Sequence, residues 1–107
     1  LRTQIVSNTM LSVEKRDAKR QETMPGRYVL EAGDVKCACD VYQSLNWEFA
    51  CVSLYTGQTM TKATGTVDGM KLMMQFGKQL GFFNSKGDKI TSMDVYIGGE
   101  QLRLSKP

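Results

Sequence analysis

Asp68-Gly69-Met70-Lys71-Leu72-Met73-Met74-Gln75-Phe76-Gly77-Lys78-Gln79-Leu80-Gly81 is the stretch on which the fold class turns. At helical spacing Met70, Met73, Met74, Gly77 and Leu80 share one face, flanked by Leu72 and Phe76, while Lys71, Gln75, Lys78 and Gln79 line the opposite one. Asp68 is suited to cap such a helix at its start, and Gly81 to end it with a left-handed residue. The spacing therefore predicts an amphipathic helix over Gly69 to Leu80, its methionine face laid on a sheet.

The flanking segments supply that sheet. Upstream, Arg27 to Glu31 is short and β-prone. Val35 to Tyr42 alternates apolar odd positions with Lys36 and Asp40, the mark of a half-buried strand. Trp47 to Tyr55 is apolar on nearly both faces, as a central strand is, and the Thr-rich run Thr59 to Val67 reads as a thinner strand near an edge. Downstream, Phe82 and Phe83 tie the helix exit into the core before Asn84 to Asp88 loop out. The chain then closes with a hairpin, Ile90 to Ile97 and Glu100 to Leu104, around the two-residue turn Gly98-Gly99. That loop pairs Ile97 with Glu100, Val95 with Leu102, Met93 with Leu104 and Asp94 with Arg103. A one-residue slip would set apolar rows against polar ones, so the register is specific.

At the other end, residues up to Met24 are rich in helix formers, with Val6, Met10 and Val13 at helical spacing and Asn8 or Thr9 as candidate caps. Met24-Pro25-Gly26 stops this helix, because the residue before proline is pushed out of helical angles. The expected architecture is α+β: one domain over residues 1–107, with a charged N-terminal helix (1–24) and, over 26–107, a mostly antiparallel sheet of five to six strands carrying one packed amphipathic helix.

Composition narrows the chemistry. With 107 residues, 41% hydrophobic and 23% charged, the chain suits one soluble core. No apolar run approaches a membrane span, and Leu1-Arg2-Thr3-Gln4 does not open an uninterrupted secretory region; the expectation from Leu1 in place of Met is a fragment, an alternative start or an artificial boundary. There is no histidine, which removes the usual general base and the commonest metal ligand, and with them triads and zincin sites. Three cysteines preclude a complete disulfide framework. Cys37 and Cys39 point to the same strand face, Cys51 can approach either across strands, and the expectation is buried reduced thiols in a cytoplasmic setting. The C-x-C spacing gives no metal site, and no cofactor is expected. Gly65-Thr66-Val67-Asp68-Gly69 lacks the lysine and spacing of a phosphate loop. Asp40, Glu48 and Asp94 are the carboxylates a catalytic pair would need, but no pattern brings two of them together.

The net charge of +3 is unevenly spread, with a basic start, an acidic middle and a basic third quarter. Lys15, Arg16, Lys19 and Arg20 lie close to one helical face, and Lys71 and Lys78 extend a positive surface along the second helix. The order strand–strand–strand–helix over residues 27–82 is similar in outline to a double-stranded RNA-binding domain. Asp68-Gly69-Met70-Lys71 stands where such a module carries a lysine cluster, so that activity is not carried over. The expected function is stoichiometric binding without catalysis: a small protein-interaction module, inhibitor- or adaptor-like. It would bind another protein or itself through Trp47, Tyr42 and Tyr96, the aromatic type that interfaces favour. The alternative is nucleic-acid binding through the six cations. No membrane partner is expected.

Overall fold

Asp68-Gly69 is a hairpin turn. In the computed structural model, which describes residues 2–107 and side chains from residue 11 onward, Asp68 pairs with Lys71 across a two-residue loop in which Gly69 has φ +60°. That left-handed position is open to glycine and costly to a residue with a Cβ. The same two-residue loop led by a glycine joins Ala32 to Val35, Lys86 to Lys89 and Ile97 to Glu100.

The elements follow as α1 (Arg2–Thr23), β1 (Gly26–Ala32), β2 (Val35–Val41), β3 (Asn46–Ser53), β4 (Thr59–Asp68), β5 (Lys71–Met74), a 3-10 turn (Gln75–Gly77), β6 (Gln79–Lys86), β7 (Lys89–Ile97) and β8 (Glu100–Ser105). Each strand pairs antiparallel with its sequence neighbour, and β8 returns to β1 at Val29 and Ser105, closing an eight-stranded up-and-down barrel. The α+β expectation, with five to six strands and a packing helix, is thereby overturned. The segment expected as a helix is β5, a tight turn and the start of β6. Phe76 (φ +72°) and Gly77 (φ +86°) are both left-handed, which no α-helix accommodates. The outline shared with double-stranded RNA-binding domains goes with that helix. Asn84 to Lys86, expected as loop, finish β6.

The terminal hairpin has the expected register residue for residue, including Asp94 opposite Arg103. β2 alternates as its sequence does, with Cys37, Cys39 and Val41 inside. α1 runs through Asn8 and Thr9, so neither caps it, and the side chains of Val6 and Met10 lie outside the described part.

The interior is filled by side chains, as expected for a barrel of this strand number. Tyr28, Trp47, Phe49, Leu72, Met93, Val95 and Leu104 are almost wholly buried. Trp47 donates its indole N–H to the Thr66 carbonyl at 3.0 Å and lies against Gly65, where a Cβ would stand 1.9 Å from the Met73 carbonyl oxygen and 2.5 Å from the Trp47 ring. Gly65 thus lets β5 and the indole approach β4 at once.

The two ends of the barrel differ. At one, Met24 is buried under α1, Tyr28 hydrogen-bonds the Met24 carbonyl through its hydroxyl, and Thr23 Oγ1 accepts from the Ile90 N–H at 2.8 Å. Arg20 reaches the Gly87 carbonyl at 3.2 Å, and Lys106 donates to the Thr23 carbonyl while its ammonium sits 5.4 Å over the Tyr28 ring. This pole is sealed. Residues 11–19 of α1 are exposed, so the helix docks by its last turn and projects away. The opposite pole carries no such cover.

Candidate functional site

The open pole is bounded by the β1–β2, β3–β4 and β7–β8 turns. Leu30, Val35, Met60, Ile97 and Leu102 line a mouth of about 260 Å³, with Cys37 and Cys51 at its floor and Glu100 on its rim. Strand alternation accounts for this lining, since the residues that continue each inward row reach the end of the barrel uncovered. A register shift between Cys51/Val52 and Thr61/Thr59 leaves Met60 as an extra residue, and its side chain is 61% exposed. The β3–β4 turn adds Leu54 and Tyr55, 50% and 81% exposed, and is held beside the β1–β2 turn by a hydrogen bond from the Leu54 N–H to the Asp34 carbonyl at 2.6 Å. The volume lies near the lower end of the small-molecule pocket range and is large enough to receive inserted apolar side chains.

Cys37 and Cys51 face each other directly in the β2–β3 register, with Cα atoms 4.1 Å apart, and are joined as a disulfide. This corrects the expectation of three reduced thiols and withdraws the support on which a cytoplasmic setting rested, since such bonds persist in oxidising compartments. The remaining thiol, Cys39, is buried opposite Phe49; desolvation first, and then the Asp40 charge, push its pKa up to about 12. No helix among the described residues is long and apolar enough to cross a membrane.

A second depression of about 350 Å³ lies on the outer wall over Gly65, lined by Tyr42, Asn46, Glu48, Thr64, Thr66 and Gln75. Its polar groups are already committed in part, with the Tyr42 hydroxyl donating to Glu48 at 3.0 Å. Asp40 and Glu48 are direct cross-strand partners on this convex wall, and Asp40 is clamped by Arg27 through two hydrogen bonds of 2.7 and 2.8 Å, which hold its carboxyl below the ordinary range. Asp94, buried on the outer face of β7, accepts from Arg103 at 2.8 and 3.2 Å, from Gln101 at 2.7 Å and from Asn84 at 3.0 Å. Both carboxylates have their partners within the wall, and neither opens on the mouth. Among the described residues no cluster of three or more His, Cys, Asp or Glu is placed to hold a metal ion.

The expected aromatic patch is not assembled. Trp47 is interior, with 1% of its surface exposed, because the row it shares with Phe49 and Cys51 faces inward. Tyr42 follows β2 at the sealed pole, whereas Tyr96 is next to last on β7 near the open pole and packs on Phe82 with ring centroids 6.0 Å apart. The cations are dispersed as well. Lys15, Arg16 and Lys19 are exposed on the projecting helix, and Arg16 and Lys19 lie within 4 Å of Asp17 and Glu22. Arg20 is docked on the barrel, Lys71 stands at the sealed pole, and Lys78 lies on the tip between β5 and β6. With no second α-helix among the described residues, these six cations do not share one face.

Sequence reasoning missed the mouth. Its signal was available in the repeated glycine-led turns, which mark hairpin ends, and in the apolar residues beside them: Leu30, Val35, Leu54, Tyr55, Ile97 and Leu102. No family model matches this chain, and neither does any curated protein or solved structure.

Proposed function

We propose that this chain is a small protein-interaction module that acts by stoichiometric binding, inhibitor- or adaptor-like and without catalysis, and that its partner docks at the open mouth. The observation that carries the reading is the pairing of an apolar cavity with the exposed Leu54, Tyr55 and Met60 at the one pole that α1 does not cover. Exposed apolar groups gathered around a concavity mark interaction sites, and a central pocket that receives one apolar anchor is the usual core of a binding hot spot. The closed barrel supplies a rigid frame, so little ordering free energy is spent on association.

The test uses Tyr55→Ser combined with Met60→Glu, both at exposed positions where the barrel should tolerate them. A partner captured by the wild-type chain, bound one to one by sedimentation and released by the double variant with unchanged circular dichroism, supports the proposal. Capture that the double variant leaves intact removes the mouth from it, and turnover of a small molecule by the purified chain overturns the non-catalytic reading.

A further inference from the structure

We infer that the unpaired edge of β4, Thr59–Thr64, takes up an extended segment of a partner protein as an added strand, its apolar side chains turned into the mouth and its acidic ones outward. This rests on the protein-binding reading above and specifies the partner.

β4 is bounded unequally. On one side β3 accompanies it from Thr66 back to Thr59. On the other, β5 pairs only with Gly65–Asp68, and among the described residues no backbone hydrogen bond joins the remaining six residues to any segment on that side. At about 3.4 Å per residue this leaves some 20 Å of strand edge in which every second residue presents an N–H and a carbonyl to open space. A closed barrel ordinarily abolishes such edges, and a free edge is a template for another strand.

The edge is free because the chain that would cover it turns away. Met74 donates its N–H to the Lys78 carbonyl at 2.7 Å, and Gln75–Gly77 fold into a tight turn that leaves Phe76 fully exposed with φ +72°. Consequently the lining of the mouth comes from β1, β2, β3, β4, β7 and β8, with no residue from β5 or β6. The wall is notched beside β4. A strand laid along Thr59–Thr64 prolongs the line of β5, fills the notch and completes the rim.

Side-chain alternation and charge then define the guest. Thr61 and Ala63 belong to the inward row of β4, and Lys62 and Thr64 to its outward row. Inward residues of an added strand meet the apolar mouth. Outward ones come beside Lys62, with Lys78 at the neighbouring tip, both exposed cations. Opposite charges on adjacent strands stabilise pairing and like charges oppose it. An alternating apolar and acidic segment fits; a second copy of this chain, offering its own β4 edge, brings a second Lys62 into the same short patch.

The test titrates the isotope-labelled full chain with the capped peptide Val-Glu-Val-Glu-Val-Glu, followed by amide NMR and calorimetry. Two analogues carry N-methyl groups, one on the Val nitrogens and the other on the Glu nitrogens. Strand addition uses only one alternating set of peptide N–H groups, so one analogue should lose about tenfold in affinity while the other binds like the parent. Lys62→Glu should weaken the parent peptide by about fivefold and strengthen a Val-Lys counterpart. If neither methylation changes the affinity, or both weaken it equally, the strand-addition inference falls while docking at the mouth stands. Absence of parent binding at about millimolar concentration overturns it too, and the Tyr55→Ser/Met60→Glu capture then decides the broader reading alone. A dimer joined through Thr59–Thr64 replaces the partner protein with a second copy and overturns the inference.

Discussion

Replacing Gly65 with alanine probes the closest packing in the barrel. The added Cβ would lie 1.9 Å from the Met73 carbonyl oxygen, 2.8 Å from its carbon and 2.5 Å from Cζ2 of Trp47, whereas ordinary contacts begin near 3.4 Å. Relief requires β5 to withdraw by about 1.5 Å or the indole to leave its place, and neither is free to move. Met73 pairs with Thr66 in the β4–β5 ladder, and the Trp47 N–H is bonded to the Thr66 carbonyl. Overpacking a core costs about 1–3 kcal/mol, and a clash with backbone belongs at the upper end. At roughly 4–8 °C per kcal/mol for a domain of this size, a cost of about 3 kcal/mol should lower the melting temperature by about 12–24 °C. Trp47 is the only tryptophan, so its emission reports both unfolding and any displacement in the folded state. Gly33→Ala is the control: φ is +58° there but no atom lies within 4 Å of the new Cβ, so only the left-handed conformation is penalised, by about 1 kcal/mol. A Gly65→Ala melting temperature at or above that of Gly33→Ala would refute the close approach of β5 and the indole to β4.

Reducing the Cys37–Cys51 bond, which closes a loop of sequence separation 14, should lower stability by about 3 kcal/mol, read as a shift of the urea midpoint. Cys39, buried and with its pKa pushed up to about 12, should resist iodoacetamide at pH 8 in the folded chain and react once urea unfolds it; native-state alkylation at the rate of a free thiol contradicts its placement. Asp94 is held below the ordinary carboxylate range, chiefly by its hydrogen bonds to Arg103 against the opposing effect of burial, and Asp40 similarly by Arg27. Depressed folded pKa values contribute stability that is full above about pH 4 and lost as pH falls through them, so urea midpoints should decline below that pH, and less steeply in Asp94→Asn. Thr23→Ala deprives the Ile90 N–H of its acceptor and should cost about 1 kcal/mol, with Thr23→Ser restoring most of it; equal melting temperatures for all three would show that the docking of α1 does not depend on this bond.

The strands were legible where burial alternates over a long run. β2 and the β7–β8 hairpin, with their clean period of two, were readable down to the pairing of Asp94 with Arg103. β5 was not. It has four residues, Leu72 alone among them is fully buried, and Lys, Leu and Met are all good helix formers, so local preference pointed one way while tertiary pairing imposed the other. The decisive cue, Asp68-Gly69, is ambiguous by itself, because aspartate both caps helices and leads hairpin turns. Closure was also beyond the reach of pattern: nothing local states that β8 returns to β1. The candidate site suffered from the same limit. Trp47 resembled a surface anchor by residue type alone, yet its strand row faces inward, and the mouth exists only once six strands converge at one end.

Met24 and Lys106 both stand at the sealed pole, where the Lys106 ammonium reaches back to the carbonyl of Thr23. A group joined to the chain beside Lys106 is therefore attached at the pole opposite the aperture. A fluorophore, an affinity handle or a surface linkage attached there leaves the opposite face unobstructed, so immobilised chains present their rims in a common direction.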